Sequence, residues 1–173
     1  MKTDKTGILA ISAAKALAIH RRTDLESVGA NYIVPVPMHR FRRWDRGVNS
    51  PDLLAEELGR QLKIPVARHL VQRIRSTDLQ YTLSQRGRAE NVAGAFALRP
   101  PSLFSLLLSS LLPSAVCRPP SGLVGKNILL VDDILTTGAT CNEIAKIFLA
   151  AGVGTVSVAI LARAAGGTRP NVS

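Results

Sequence analysis

Aromatic side chains are scarce in this chain, at 4% of 173 residues, so aliphatic side chains must fill any core and base-stacking platforms are few. Cysteine is nearly absent. Cys117 and Cys141 stand far apart and cannot by themselves supply a four-ligand zinc site, nor do they suggest a disulfide scaffold or an oxidising compartment. The three histidines, His20, His39 and His69, are scattered without metal-ligand spacing. Long apolar runs are missing too. Ser102 to Val116 is rich in leucine and serine but interrupted by Pro113, and it falls short of the roughly 20 residues that span a bilayer. Met1 to Ile19 has Lys2 and Lys5 before an alanine-rich run. Asp4 and Lys15 break the pattern of a secretory leader, so the expectation is a surface helix feeding a domain, with no membrane span and a cytoplasmic location.

Acidic residues are the last shortage. Twelve face 22 lysines and arginines, a net charge of +10, and residues 38–88 alone hold 11 basic against 5 acidic residues. Such a surplus suits phosphate-bearing partners, including nucleic acid bound without sequence readout. Hydrophobic residues make up 46%, enough for one packed domain of this length rather than a disordered chain.

Most of the chemical information lies in residues 128–140, Ile-Leu-Leu-Val-Asp-Asp-Ile-Leu-Thr-Thr-Gly-Ala-Thr. Ile128 to Val131 reads as a strand buried on both faces, ending at Asp132 and Asp133. A hydroxyl-rich loop follows, Thr136, Thr137, Gly138, Ala139 and Thr140, and then a helix from Cys141 to Ala151 that stops at Gly152. A helix N-terminus offers free N–H groups and partial positive charge to a phosphate. Gly138 permits close backbone approach, and the threonines add donors. Two carboxylates beside a phosphate need a different target; the vicinal hydroxyls of a ribose fit, since ionised carboxylates only accept hydrogen bonds.

The remaining chain alternates strands and helices. Tyr32 to Val36 is a strand, and Ser50-Pro51 opens a helix with an apolar stripe at Leu54, Leu58 and Leu62. Val66 to Ile74 is a strand of alternating basic and apolar residues. Helical character returns over Ser84 to Val92 despite Gly87, and the last strand is Val156 to Leu161. This order predicts an α/β fold: a single domain with a mainly parallel sheet and helices on both faces. Ligands of such sheets bind beyond the carboxyl ends of the strands, where Asp132, Asp133 and the hydroxyl loop end one strand and Pro35, Val36 and Pro37 end another. The expected organisation is a helical lead-in over 1–29, the domain over 30–163 with an insert at about 99–122, and a tail over 164–173.

The 128–140 run resembles the 5-phosphoribosyl-1-pyrophosphate (PRPP) signature of type I phosphoribosyltransferases, matching in residue type throughout. Residues 33–49, Ile-Val-Pro-Val-Pro-Met-His-Arg-Phe-Arg-Arg-Trp-Asp-Arg-Gly-Val-Asn, precede it. So do Gln80, Leu83-Ser84, Arg86, Arg88, Asn91-Val92 and Gly94-Ala95-Phe96. Together these are similar to the competence protein F (ComF) family over roughly residues 30–163. The chain departs from that pattern by the insert and by beginning after the place of the family's N-terminal cysteine cluster, a small zinc ribbon.

The resemblance implies that Asp132 and Asp133 hold the ribose hydroxyls and that Thr136 to Thr140 cradle the 5′-phosphate. It places the pyrophosphate at the Pro35-Val36-Pro37 loop, with Mg²⁺ arriving through the ligand rather than in a protein cage. Arginine forks suit pyrophosphate oxygens. Arg46, beside Gly47, and Arg86 and Arg88, from the segment 75–91 that often forms a lid in these enzymes, are the candidates to act on the departing group. Arg40, Arg42 and Arg43 are candidates for contacts to nucleic acid; a solvated basic loop remains the alternative for that cluster. Asn91 has two readings, a structural turn cap and a site residue, and Trp44 is read as packing locally.

The family association extends to single-stranded DNA uptake and to competence-machinery proteins as partners. Three functions stay open: a transferase moving the phosphoribosyl group to an unknown nitrogen acceptor, a DNA-uptake factor using the pocket as a sensor or phosphate grip, and a non-catalytic regulator. A glutamine-dependent amidophosphoribosyltransferase is not expected, because these 173 residues leave no room for a glutaminase domain.

Overall fold

The computed structural model describes residues 5–37, 50–75, 90–99 and 122–163. Helices α1 (Lys5–His20) and α2 (Arg22–Ser27) lead to strand β1 (Tyr32–Pro35). Helix α3 (Ser50–Leu62), the short strands β2 (Val71–Arg73) and β3 (Phe96–Leu98), strand β4 (Asn127–Leu135), helix α4 (Ala139–Ala150) and strand β5 (Thr155–Arg163) follow. The main sheet is parallel, in the order β1-β4-β5, and β2 pairs antiparallel with β3.

Ile128 to Val131 are all buried, as their unbroken apolar run requires of a central strand. Alternation divides them between two layers. Ile128 and Leu130 join Val34 on the face covered by Ile144 and Phe148 of α4. Leu129 and Val131 join Ile33 on the opposite face, under Leu54 and Leu58 of α3 and Ala10, Ala14 and Ala18 of α1. Helices therefore cover both faces, as the α/β reading expects. The alanine stripe does more than lead into the domain, since its four-residue spacing puts small side chains along one face of α1, inside the core. Glu57 of α3, nearly buried, takes two bonds from Arg60 (2.7 and 3.1 Å) and one from Gln61 (2.8 Å). The Arg60 bonds hold its carboxyl below the usual range despite burial, with Lys15 of α1 adding a smaller pull in the same direction.

Several boundaries differ from the sequence reading, among them the last strand, which runs Thr155–Arg163 rather than Val156–Leu161. The 66–74 segment is not one strand: Val66 makes a single parallel bridge beside Ile33, the chain turns through Ala67 to Leu70, and pairing resumes only at Val71. Pairing across both flanks of Val66, Ile33 N–H to Pro65 O and Ala67 N–H to Ile33 O, ends at that turn. Strand β4 does not stop at the acids; its ladder with β5 continues through Asp132, Ile134 and Leu135, because β5 itself runs to Arg163. Helix α4 starts at Ala139 rather than Cys141, so Ala139 and Thr140 form its first turn. Its far end is as expected. Gly152 has φ +83°, its N–H meets Leu149 O, and the Val153 N–H reaches back to Phe148 O, the Schellman pattern with Val153 buried beside Phe148. Of the helical reading over 84–92, only Glu90 to Val92 lie among the described residues, and these are helical. The insert, apart from its ends, lies outside them.

Close approach of α3 to the Val66 bridge depends on Gly59. A Cβ there would lie 2.5 Å from Val66 Cγ2 and 2.9 Å from Ile64 O. Alanine would gain helix propensity but overpack this contact, so Gly59→Ala is expected to destabilise by about 1–2 kcal/mol net. Urea unfolding reads the loss as a lower midpoint at unchanged slope; a higher midpoint would contradict the packing described.

Candidate functional site

The carboxyl ends of β1 and β4 lie side by side. Pro35 pairs with Val131, and the Val36 N–H donates to Val131 O at 2.9 Å, so the Pro35-Val36-Pro37 segment leaves the sheet next to the acid pair. Val36 is buried and Pro37 half-buried, and no peptide among the described residues is cis. Residues 38–49 continue from this edge but lie outside the description, and with them Arg40, Arg42, Arg43 and Arg46. Arg86 and Arg88 also lie outside it.

Asp132 and Asp133 are both half-buried, just past the four core residues of β4. Adjacent strand residues point to opposite faces. Asp132 Oδ1 accepts the Asp133 N–H at 2.9 Å, which turns one carboxylate back along the backbone. Its charge reaches the first turn of α4: burial, and secondarily the Asp132 carboxylate, push the Cys141 thiol up to about 12. Cys141 is thus a buried neutral packing group beneath the site, as expected of a core helix position.

Between strand and helix, Thr136 is exposed, while Thr137, Gly138, Ala139 and Thr140 are half-buried. Gly138 sits at φ +77°, ψ 0°, as the N-cap of α4. An added Cβ would meet nothing nearer than Leu135 Cδ1 at 3.8 Å, so this position needs glycine for its left-handed backbone rather than for space. The first helical bond runs from Asn142 N–H to Gly138 O. Ahead of it, Thr137 Oγ1 accepts the Ala139 N–H at 3.4 Å, and the N–H groups of Thr140 and Cys141 have no intrahelical acceptor. Backbone donors, partial positive charge and threonine hydroxyls therefore meet at one helix end, a few residues after the acid pair in the chain. That combination can hold an anionic group and a polyol at once. Among the described residues no group of three His, Cys, Asp or Glu side chains comes together.

Contacts that no sequence spacing announces join this helix to the turn at 91–95. Glu143 Oε1 accepts the Gly94 N–H at 2.8 Å. The Arg75 guanidinium donates to Asn91 O at 3.0 Å and Ala93 O at 2.8 Å. Asn91 thus serves the turn through its carbonyl, and Phe96 lies in the core as expected. The sequence signs of this turn were Asn91, read as a turn cap, and the glycine of Gly94-Ala95-Phe96; Gly94 has φ +64°.

Comparison with known proteins bears on the family and the fold. The phosphoribosyl transferase domain family matches residues 53–173. Competence protein F of Haemophilus influenzae is 38% identical over 132 residues, covering 76% of this chain and 50% of that protein. DNA utilization protein YhgH of Escherichia coli K12 is 35% identical over 131 residues, with 76% and 48% covered. The chain spans about half the length of these curated relatives. An alanine mutant solved to analyse an invariant aspartic acid in HPRTs superposes with a TM-score of 0.50 at 14% identity, covering 96% of this chain and 74% of that one, and supports the fold alone. With most of its length matched, and a parallel sheet covered by helices on both faces, the chain belongs to the phosphoribosyl transferase domain family, in the company of competence protein F.

Proposed function

We propose that the edge formed by Asp132 to Thr140 and Pro35 to Pro37 binds PRPP, or a related phosphoribosyl ligand, with Mg²⁺, and that this binding serves the handling of single-stranded DNA in competence. The observation that carries the reading is the junction of β4 and α4: an acid pair, a glycine with left-handed backbone and a helix N-terminus within nine residues. The 5′-phosphate would take the free N–H groups of α4 and the hydroxyls of Thr136, Thr137 and Thr140. Asp132 and Asp133 would accept from the ribose hydroxyls. The pyrophosphate would then extend toward Pro35, Val36 and Pro37, with Arg46, Arg86 and Arg88 as the cations that meet it. Two carboxylates are too few for an all-protein magnesium cage, so Mg²⁺ would be held mainly by pyrophosphate oxygens and water, neutralising their charge. In this reading the protein works in the cytoplasm; no helix among the described residues is long and apolar enough to cross a membrane.

The names of the relatives, competence protein F and DNA utilization protein, support the link to DNA, as does the net charge of +10. Arg40, Arg42 and Arg43 would supply sequence-independent phosphate contacts, and competence-machinery proteins would be the accompanying partners. Family membership favours a second reading, transfer of the phosphoribosyl group to an unknown nitrogen acceptor. Attack by that nitrogen at C1 would break the bond to pyrophosphate. Acceleration would have to come from cations at the leaving group, because the phosphate and ribose grips act at a distance from C1. Binding without turnover is the favoured outcome, and rapid pyrophosphate release in a screen of purines, pyrimidines, ammonia and simple amines would select the transferase.

Asp132→Asn combined with Asp133→Asn leaves an amide oxygen to accept the residue 133 N–H, so the fold should persist. Calorimetry should show PRPP affinity lowered about 100-fold, the scale of two lost charge-assisted bonds. Unchanged affinity would sink the ligand assignment.

Single-stranded DNA should bind weakly and with steep salt dependence. Replacing Arg40, Arg42 and Arg43 with alanine should lower the slope of log affinity against log salt by about 2, at roughly 0.7 per phosphate contact. Absence of binding at low salt in the unsubstituted protein would remove the DNA role.

A further inference from the structure

Strand β5 ends the main sheet, and its outer edge meets no described strand. Its residues, Thr155-Val156-Ser157-Val158-Ala159-Ile160-Leu161-Ala162-Arg163, include none of those that usually blunt such an edge. There is no proline, no acid and no lysine, and the single charge, Arg163, stands at the last position. The opposite edge is different. Pairing of Ile33 with Pro65 and Ala67, at 2.9 and 2.8 Å, covers β1. Among the described residues the main sheet therefore has one open edge. The faces beside it are apolar as well. On the α4 side Val158 is 43% exposed, and Val156 and Ile160 are half-buried. On the other side Ala159 and Leu161 pack in the cluster that holds α1, a helix that leaves Ile8, Leu9 and Ile19 exposed.

We propose that β5 pairs antiparallel with β5 of a second copy of this chain, about a two-fold axis at Ala159, to make one continuous sheet. The strand is self-complementary in that register. Val158 falls opposite the partner's Ile160 on the half-covered face, a pair of β-branched side chains of the kind that stabilises neighbouring strands. Thr155 falls opposite the partner's Arg163, so the two arginines stand at opposite ends of the seam and do not repel each other. The contact is isologous and consumes the open edge of both copies, while the covered β1 edges lie outermost, so assembly stops at two. A different partner would need an unpaired apolar strand of its own; a second copy brings one. The ladder alone buries a small area, and α1, packed on β5, widens the seam with its exposed apolar side chains. This pairing uses the side of the sheet rather than the carboxyl ends of β1 and β4, and holds whatever ligand the 132–140 site takes.

Sedimentation equilibrium on the full chain should show a monomer–dimer equilibrium in the micromolar range. Val158→Lys and Ile160→Glu should each weaken the dimer by about tenfold or more, because each enters the seam twice and sets a charge against an apolar partner. Val158 is exposed in the monomer, so its substitution should leave the thermal midpoint nearly unchanged. An equimolar mixture of the two variants places the new ammonium opposite the new carboxylate and should recover a heterodimer tighter than either variant forms alone; a general loss of stability would not be repaired by mixing. A monomer throughout that range would overturn the proposal, and slow amide exchange along β5 in that monomer would mean that the chain covers its own edge. A dimer that both variants leave intact, or a mixture no tighter than its components, would overturn it equally.

Discussion

Ile128 to Val131 alternate between two apolar layers, and every other feature of the site is referred to that arrangement. With both faces of β4 buried and parallel neighbours on both sides, the strand has neither rotational nor register freedom. A one-residue slip would exchange Leu129 and Leu130 between layers and carry Asp132 and Asp133 with them. Burial of this single strand therefore sets the height and direction at which the two carboxylates leave the sheet. It also sets where β1 delivers Pro35 to Pro37, since Pro35 is registered to Val131.

From that anchor the site follows by short steps of backbone geometry. Three residues after the ladder ends, Gly138 takes a left-handed conformation that turns the chain directly into α4. The helix therefore begins within a few residues of the acid pair, with its first N–H groups lacking intrahelical acceptors. The 2.9 Å bond from the Asp133 N–H to Asp132 Oδ1 turns one carboxylate back along its own strand. Burial, with the Asp132 carboxylate second, raises the Cys141 thiol in the first turn of α4, so the charge of the acid pair is felt at that helix end. A ligand with a phosphate at one place and hydroxyls at another answers both poles without displacing either.

How much of this was legible in the residues depended on whether the cause was local. The β4–α4 unit could be read because a buried run, two acids, a glycine and a C-terminal Gly152 each act within a few residues of themselves. The α3 stripe of Leu54 and Leu58 was legible for the same reason. Where contacts between distant segments decide, the reading went astray. The buried run seemed to end at Asp132 and Asp133, yet a neighbouring strand of equal length carries the ladder on to Leu135. Residues 66–74 alternate like a strand, yet β1 takes only Val66 and β3 takes only Val71 to Arg73. The core role of Ala10, Ala14 and Ala18 was hidden because alanine signals burial weakly, and Glu143 because nothing in its surroundings names Gly94, 49 positions away, as its partner.

The central claim is that a phosphate is held by the N-terminus of α4, in front of the acid pair. The most direct measurement is amide hydrogen exchange by NMR, resolved to single residues, with and without saturating ribose 5-phosphate. The account predicts slowed exchange concentrated at Gly138 to Cys141, where the N–H groups lack intrahelical acceptors, with little change at the opposite end of the sheet around Asn127 and Thr155. Saturable binding that left the 138–141 amides unchanged, and slowed exchange elsewhere, would contradict it.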